Sequence, residues 1–246
     1  MRILVSNDDG IYSPGIAALA KVASRFGEVR VVAPDVEQSS MGHAITATRP
    51  LYLKSSPIHF EGIDAYRVNG TPADCVALGT HLAKTDVVLS GINLGPNVGN
   101  AMWHSGTLAA AKQAVLFGIK GIAVSTPAGK TEPDFETLDP FVEKALQLLL
   151  EMDGLGLYNV NLPPNPTEIM WTRQSVRLYD NKIVPGMDPM NRKHYWFTVI
   201  PLEAAEEGTD RWALENGYVS ITPLRLDLTD EEKLKKVRQK GGVSVE

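Results

Sequence analysis

The stretch Ile3-Leu4-Val5-Ser6-Asn7-Asp8-Asp9-Gly10 decides the fold class, because a short apolar strand leads directly into two adjacent aspartates and a glycine. In open parallel sheets ligands bind beyond the carboxyl ends of the strands, and Gly10 allows the backbone to turn sharply there. Two ionised carboxylates about 5 Å apart repel by roughly 3 kcal/mol at an effective dielectric constant of about 20, and a hard divalent cation would reverse that cost. Asp8 and Asp9 are therefore predicted metal ligands, with a turn or helix cap as the alternative interpretation.

A strand–helix–strand unit follows this stretch. Ser13-Pro14 is typical of an N-cap followed by proline at the first helical position, and apolar residues keep helical spacing as far as the next glycine. A second strand at 28–33 comes next, so the two strands are predicted to be parallel neighbours joined by a right-handed crossover. The loop at 35–43, which contains Ser39, is then expected on the same sheet edge as the two aspartates.

The same alternation continues along the chain and predicts an α/β protein with a mostly parallel sheet. A strand at 86–90 runs into a segment at 91–100 that is too rich in Gly and Asn for regular structure, and we interpret this segment as a second ligand loop. Ser105-Gly106-Thr107 is predicted to start an Ala-rich helix that ends at Gly118. The remaining predicted elements are a strand excursion or hairpin at 45–69, a helix starting at 71–74, a helix capped by Asp139-Pro140 that ends near 152, strands at 119–125, 159–162, 169–176, 195–200 and 218–222, and a capped helix from 229.

Size and composition limit the class of protein. With 246 residues, 43% of them hydrophobic and 22% charged, the chain can bury a sizeable core and is expected to form one domain. Its formal net charge of -5 argues against binding to long nucleic acid, which needs many Lys and Arg residues at the phosphates. Cys75 is the one cysteine, so an intrachain disulfide is excluded and a reducing interior is expected. Because no apolar run approaches ~18 residues and no secretory signal precedes the first strand, we predict a cytoplasmic protein without a membrane partner.

Three predicted strand ends offer an all-oxygen set of side chains: Asp8, Asp9, Ser39 and Asn93. Carboxylate, hydroxyl and amide oxygens suit Mg²⁺, Mn²⁺ or Ca²⁺ rather than Zn²⁺. Four protein ligands leave coordination positions for water or substrate, and an open site of this kind favours hydrolysis. Ser39 and Asn93, each taken alone, are also ordinary loop residues, so the prediction depends on their convergence with the aspartates.

The helix start at 105–107 predicts an anion site near this set. Unpaired backbone N–H groups at a helix N-terminus, with hydroxyls beside them, attract phosphate. Ser105, Gly106 and Thr107 are therefore candidate phosphate-binding residues, together with Asn97. The alternative is an ordinary N-cap serine, and His104 could add a proton donor or a phosphate contact.

Further motifs narrow the range of activities. The first strand is not followed by G-x-G-x-x-G, which argues against dinucleotide binding, and the G-x-S-x-G elbow of a serine hydrolase is absent from the sequence. An aspartyl-phosphate phosphatase is one rival hypothesis, although such enzymes generally separate their two aspartates by one residue. Two non-enzymatic hypotheses also fit these residues: a nucleotide sensor without turnover, and a structural Rossmann-like domain whose aspartates cap a turn.

Six groups of residues, in the same order along the chain, resemble the SurE family of metal-dependent 5′-nucleotidases. The resemblance covers about residues 1–228, and the Asp-Asp pair combined with Ser-Gly-Ile-Asn is highly specific. The groups are Asn7-Asp8-Asp9-Gly10, Ala33-Pro34-Asp35 with Ser39, Gly70-Thr71-Pro72-Ala73-Asp74-Cys75, Ser90-Gly91-Ile92-Asn93-Leu94-Gly95-Pro96-Asn97, Ser105-Gly106-Thr107 and Gly217-Tyr218-Val219-Ser220-Ile221-Thr222-Pro223-Leu224.

The resemblance implies a Rossmann-like three-layer core ending near residue 178, and a C-terminal β-rich and helical extension at 179–246 through which subunits form homodimers or homotetramers. It implies one divalent ion per subunit, Mn²⁺ or Mg²⁺, held by the all-oxygen set defined above. The implied activity is release of phosphate from nucleoside 5′-monophosphates, with 3′-nucleotides and short polyphosphate as further substrates. In this hypothesis Asp8 and Asp9 are also the catalytic residues, one of which accepts a proton from a metal-bound water.

Overall fold

Strands alternate with helices in the computed structural model, which describes residues 1–129, 131–176, 179–201 and 204–239. Within these ranges, none of the helices has the length and apolar character of a membrane span. The strands are β1 (Arg2–Ser6), β2 (Glu28–Pro34), β3 (Leu53–Ser55), β4 (Asp64–Val68), β5 (Val87–Leu94), β6 (Lys120–Thr126), β7 (Leu157–Asn161), β8 (Ile169–Trp171), β9 (Tyr179–Met187), β10 (Lys193–Pro201) and β11 (Val219–Leu224). The helices are α1 (Pro14–Ala23), α2 (Pro72–Leu82), α3 (Gly106–Leu116), α4 (Phe135–Glu151), α5 (Asp210–Glu215) and α6 (Glu231–Gln239), with a 3-10 helix at Gly99–Trp103.

Nine of these strands form one mixed sheet in the order β3-β4-β2-β1-β5-β6-β7-β11-β8. The six strands from β4 to β7 in this order are parallel, whereas β3 and β11 run antiparallel to β4 and β7. Successive residues of β1 pack on opposite faces of the sheet. Leu4 lies in a buried cluster with Val76 of α2. Val5 lies in another cluster, with Leu19 of α1 and Leu146 of α4. The sheet therefore lies between two layers of helices, which confirms the predicted α/β class.

The structure of residues 91–94 differs from the prediction. The expected strand at 86–90 does not end there, because β5 continues to Leu94 and pairs with β6 again after an irregularity between Ser90 and Asn93. Gly91 makes this possible: its φ is 132°, and an added Cβ would lie 2.1 Å from the backbone oxygen of Val124. The interpretation of 91–94 as irregular loop was wrong, because glycine lets β6 approach closely enough to keep the ladder.

The start of α4 also differs from the prediction. The helix begins at Phe135, and Asp134 is its N-cap, with a carboxylate that accepts hydrogen bonds from the N–H groups of Glu136 and Thr137. The predicted cap at Asp139-Pro140 was wrong, because Pro140 lies inside the helix. A proline so close to the N-terminus removes one hydrogen bond of the second turn, a cost that the rest of this 17-residue helix outweighs.

The C-terminal third combines a return to the main sheet with a separate ribbon. The strand predicted at 218–222 corresponds to β11, which begins at Val219 and lies between β7 and β8, and the strand predicted at 195–200 lies within β10. β9 and β10 form a two-stranded antiparallel sheet of their own. β9 and α5 were not predicted, and β8 is shorter than the strand expected at 169–176. The predicted core limit at 178, and residues 202–203 and 240–246 of the predicted extension, lie outside the described residues.

Candidate active site

The order of the strands brings three predicted ligand segments to one edge of the sheet. β1 lies between β2 and β5 and pairs with both in parallel. The chain continues from β1 to β2 on one side and later adds β5 on the other, so this position is a topological switch point, where open α/β sheets bind ligands. Asp8 and Asp9 follow β1, the loop with Ser39 follows β2, and Asn93 lies near the end of β5.

Asp8 follows β1, and its buried side chain contacts the first residues of α3. Its side chain is 4% exposed, and its Oδ1 accepts a hydrogen bond of 2.7 Å from Thr107 Oγ1. Burial raises the pKa of Asp8 above its ordinary value, and hydrogen bonds from Thr107 and from the backbone of Gly106 partly oppose this rise. Gly106 allows the close approach, because an added Cβ would lie 2.6 Å from the Cβ of Asp8.

Asp9 carries the second carboxylate in a less buried position. Its Oδ2 accepts a hydrogen bond of 3.1 Å from the N–H of Leu94 in β5. Burial raises the pKa of Asp9 to about 6, and the negative charges of Asp8 and Glu37 add to this rise. Both carboxylates are thus destabilised in their ionised form, and a nearby cation would relieve this destabilisation.

Ser39 is exposed on the loop that follows β2. Its hydroxyl donates a hydrogen bond of 2.5 Å to Oε1 of Glu37, and the N–H of Gln38 donates one of 2.7 Å to the backbone oxygen of Asp8. When the hydroxyl hydrogen is donated to Glu37, the lone pairs of the Ser39 oxygen stay available to a cation. The loop is therefore attached beside Asp8, although no contact joins the Ser39 side chain to either aspartate among the interactions of the described residues.

Asn93 is half-buried near the end of β5. Its amide nitrogen donates a hydrogen bond of 2.6 Å to the backbone oxygen of Gly95. The amide oxygen is then the atom that could bind a cation. Because the neighbouring residue Leu94 contacts Asp9, this part of β5 lies beside the second carboxylate.

Asn97 is the centre of a buried hydrogen-bond network behind Asp8. Its amide nitrogen donates to Thr107 Oγ1 at 3.1 Å and to Ser125 Oγ at 2.9 Å. Its backbone N–H donates to Oδ1 of Asn161 at 2.8 Å, so β7 holds the Asn97 backbone in place. The contacts run from β7 through Asn97 and Thr107 to Asp8, which places Asn97 one side chain away from the carboxylate.

At the start of α3, polar groups of residues 105–107 form hydrogen bonds within the protein. Ser105 is buried, and its Oγ caps the helix by accepting a hydrogen bond of 3.0 Å from the N–H of Leu108. The Thr107 hydroxyl and the backbone of Gly106 and Thr107 are directed to Asp8. Contact of these residues with a phosphate therefore stays a prediction, and a carboxylate already occupies part of the helix terminus.

Two kinds of supporting residue were missed by sequence reasoning. Glu37, two residues before Ser39, was visible as an acidic residue in the same loop, and this was the available signal. Asn159 and Asn161 alternate along β7 and both contact the Asn97 backbone, at 2.7 Å for the Asn159 amide and 3.1 Å for the Asn161 amide. Asparagine is unusual inside a buried parallel strand, so this pair was also a usable signal.

The donor atoms at this edge fit a hard divalent cation. Two carboxylates, one hydroxyl and one amide oxygen provide oxygen ligands, which Mg²⁺ and Mn²⁺ prefer. In the part of the chain that the structure describes, no group of three or more His, Cys, Asp and Glu side chains is placed to hold a metal ion. A cation at this edge would therefore need the hydroxyl or amide oxygens in addition to Asp8 and Asp9.

The fold defines a three-layer α/β protein with an acidic, oxygen-rich candidate site at the switch point of its sheet. The family model described as Survival protein SurE matches residues 3–181. The chain belongs to the SurE family, as the six groups of residues predicted.

Relatives and a solved structure cover almost the whole chain. The protein named 5′-nucleotidase SurE 1 from Thermus thermophilus is 47% identical over 237 residues, which is 93% of both chains. The 5′-nucleotidase SurE of Deinococcus radiodurans is 42% identical and covers 97% of this chain and 92% of its own. The crystal structure of the SurE protein from Aquifex aeolicus matches with a TM-score of 0.81 at 40% identity, over 98% of this chain and 99% of that one.

Proposed function

We propose that this protein is a divalent-metal-dependent phosphomonoesterase that hydrolyses nucleoside 5′-monophosphates to a nucleoside and inorganic phosphate. The observation that carries the proposal is the placement of Asp8, Asp9 and Asn93 at the switch point between β1 and β5. The names of the relatives, 5′-nucleotidase SurE, support the same reaction. In this reaction the bond between phosphorus and the ribose oxygen breaks, a bond to the oxygen of water forms, and the ribose oxygen takes up a proton.

The residues have distinct roles in the proposal. Asp8, Asp9, Ser39 and Asn93 would hold one Mn²⁺ or Mg²⁺ ion. When bound, such an ion lowers the pKa of a coordinated water and offsets negative charge on the phosphoryl group. Asp8 is kept in place by Thr107, whereas Asp9 is less buried, and one of these two carboxylates accepts the proton of the attacking water.

Phosphate is expected beside these ligands. Residues 105–107 would contact its oxygens. The two amide hydrogens of Asn97 are donated to Thr107 and Ser125, so the predicted role of Asn97 would be indirect, through Thr107 and the placement of Asp8. The network from β7 keeps Asn97 in one conformation, so the site would not need to rearrange much on binding.

A phosphate-release panel tests the proposed activity. AMP and other 5′-nucleotides, 3′-nucleotides and short polyphosphate would be assayed with Mn²⁺, Mg²⁺ and EDTA. We expect metal-dependent release from 5′-monophosphates, and its loss in Asp8→Asn and Asp9→Asn. Asp64→Asn is the matched control, because Asp64 is exposed at the amino end of β4, which is the opposite edge of the sheet.

The same panel separates the rival hypotheses. Near-normal release by both Asp8→Asn and Asp9→Asn, in proteins folded by circular dichroism, would contradict the assignment. Tight nucleotide binding without release in excess Mn²⁺ would favour a sensor, and a covalent phosphoryl group trapped on Asp8 would favour an aspartyl-phosphate phosphatase.

The proposal includes assembly into homodimers or homotetramers through the C-terminal segment. The β9–β10 ribbon exposes large apolar side chains, among them Tyr195 at 65%, Trp196 at 67% and Phe197 at 64%. Tyr195 and Phe197 lie on one face of the ribbon and Trp196 on the other. A two-stranded ribbon is marginally stable by itself in water, and large apolar side chains exposed on both of its faces favour an interaction site. A second copy of the chain is the partner we propose for it, and the cytoplasmic location stays a prediction.

A further inference from the structure

The loop that carries Ser39 is attached to the rest of the protein on both sides of that residue. On the amino side, the N–H of Gln38 donates to the backbone oxygen of Asp8 at 2.7 Å. On the carboxyl side, the N–H of Gly42 donates to the backbone oxygen of His104 at 3.0 Å. The first contact fixes the loop to the end of β1, and the second fixes it to the turn that precedes α3.

A side-chain hydrogen bond strengthens the second attachment. Nε2 of His43 lies 2.8 Å from Oε1 of Gln113, a pair in which the ring N–H donates to the amide oxygen. His43 is exposed, whereas Gln113 is 4% exposed and lies two turns into α3. The first residues of α3 contact Asp8, so one rigid helix holds both the Asp8 carboxylate and the far end of the Ser39 loop.

The loop between these attachments has an uncommon backbone. Ser40 has a φ of 60°, which is rare for a residue other than glycine, and Gly42 has a φ of 59°. A residue other than glycine in this region, such as Ser40, costs of order 1–3 kcal/mol and persists where the surrounding structure determines it. The backbone conformation around Ser39 therefore depends on contacts made elsewhere, and the His43–Gln113 pair is one of them.

We propose that the His43–Gln113 hydrogen bond is a positioning contact that keeps Ser39 ready to bind the divalent cation. This inference rests on the metal site of the proposed function. His43 touches neither the cation nor the substrate in this proposal, and acts through the loop conformation. When the contact is lost, a smaller fraction of molecules has Ser39 in place, and the apparent dissociation constant for the cation rises in inverse proportion to that fraction.

Titration of Mn²⁺ into the metal-free full-length protein, followed by calorimetry, tests this positioning role. We expect His43→Leu and Gln113→Leu each to raise the Mn²⁺ dissociation constant about fivefold, the change that corresponds to one typical net hydrogen bond of about 1 kcal/mol. The double variant should bind Mn²⁺ no more weakly than the weaker-binding single variant, because both substitutions remove the same contact. The His43→Gln variant should bind Mn²⁺ as tightly as the wild type, because the amide nitrogen of glutamine can take the position of the histidine Nε2.

Two further variants show whether the effect passes through Ser39. In a Ser39→Ala background, adding His43→Leu should not change the Mn²⁺ dissociation constant further. Met41→Ala is the matched control, because Met41 is 51% exposed in the same loop, and its affinity for Mn²⁺ should equal that of the wild type. Loss of one hydrogen bond of about 1 kcal/mol should lower the melting temperature of metal-free His43→Leu by only about 2–4 °C, so the variant stays folded during the titration.

The outcomes separate this proposal from the proposed function. Suppose that the wild type binds Mn²⁺ and Asp8→Asn does not. If His43→Leu then binds Mn²⁺ as tightly as the wild type, the positioning role is wrong and the metal site stands. An equal loss in His43→Leu with and without Ser39 would also overturn it, because the contact would then act elsewhere. A wild-type protein that does not bind Mn²⁺ overturns the metal site, and this inference with it.

Discussion

Thr107→Val tests whether a buried hydroxyl fixes Asp8, the first of the proposed metal ligands. Valine has nearly the same volume as threonine, but it cannot donate to Asp8 or accept from Asn97. Thr107 is fully buried, so water cannot replace the lost contacts, and both partner groups are left with one fewer hydrogen bond.

The size of the effect follows from these two hydrogen bonds. The bond of 2.7 Å to the Asp8 carboxylate is of the charged kind, which contributes about 1.5–3 kcal/mol, and the bond of 3.1 Å from Asn97 contributes about 1 kcal/mol. We therefore expect the free energy of unfolding of the metal-free protein to fall by about 3 kcal/mol, which lowers the melting temperature by roughly 6–12 °C. Loss of an outer contact to a metal ligand typically costs about 10–100-fold in metal affinity or activity, and we expect this range for Mn²⁺ binding and for phosphate release from AMP.

Calorimetric titration with Mn²⁺, a phosphate-release assay and thermal unfolding measure these quantities on the same protein. Thr107→Ser keeps the hydroxyl and should retain most of the affinity. Thr222→Val is the matched control, because Thr222 is buried in β11 and bonds to Thr172, so it should lose stability without losing Mn²⁺ affinity. A folded Thr107→Val that bound Mn²⁺ and released phosphate like the wild type would refute the role given to this hydroxyl.

Three further expectations concern packing, charge and assembly. Gly106→Ala places a Cβ 2.6 Å from that of Asp8, so it should displace the carboxylate and weaken Mn²⁺ binding by at least tenfold, or about 1.4 kcal/mol, and unchanged binding in a titration would contradict this packing. Arg2 lowers the pKa of Asp86 to about 2, so this carboxylate adds stability above its ordinary pKa of 3.8, and that stability is lost as the pH falls towards 2. Chemical denaturation should show Asp86→Asn less stable than the wild type by under about 1 kcal/mol near neutral pH and equal to it near pH 2, and a difference that persisted in acid would count against the ion pair. Trp196→Ser should lower the molar mass measured by light scattering if β9–β10 joins subunits, whereas an unchanged mass would exclude this residue from the contact.

Local sequence patterns were sufficient to place the predicted ligand residues along the chain and in the sheet. Asp8 and Asp9 directly follow a short apolar strand, and the strand–helix–strand unit after them requires a parallel neighbour. Parallel strands end at one edge, so the placement of the end of β5, where Leu94 contacts Asp9, followed from chain connectivity alone. The N-cap of α3 was also predictable from the local sequence. Ser105 Oγ accepts a hydrogen bond from the N–H of Leu108, three residues later, as an N-cap serine does.

Competing local signals led to the errors. At the start of α4, both Asp134 and Asp139 are acceptable caps, and the proline after Asp139 favoured the wrong one. At 91–94, Gly91 resembled a loop glycine, whereas its lack of a Cβ serves to admit the backbone of β6. In each case the deciding contact joins residues that are distant in sequence or depends on which of two adequate caps the packing selects.

The sequence by itself determined the class of fold, the edge of the sheet at which the predicted ligand residues meet and the oxygen chemistry offered there, because these follow from periodicity, chain connectivity and residue type. The tertiary structure alone decided how that chemistry is held. It directs Thr107 to Asp8, supports Asn97 from Asn161, and ties His43 to Gln113 across 70 residues of sequence. Side-chain hydrogen bonds of this kind depend on distances of a few tenths of an ångström between separate elements, and these distances are set when helices pack on the sheet.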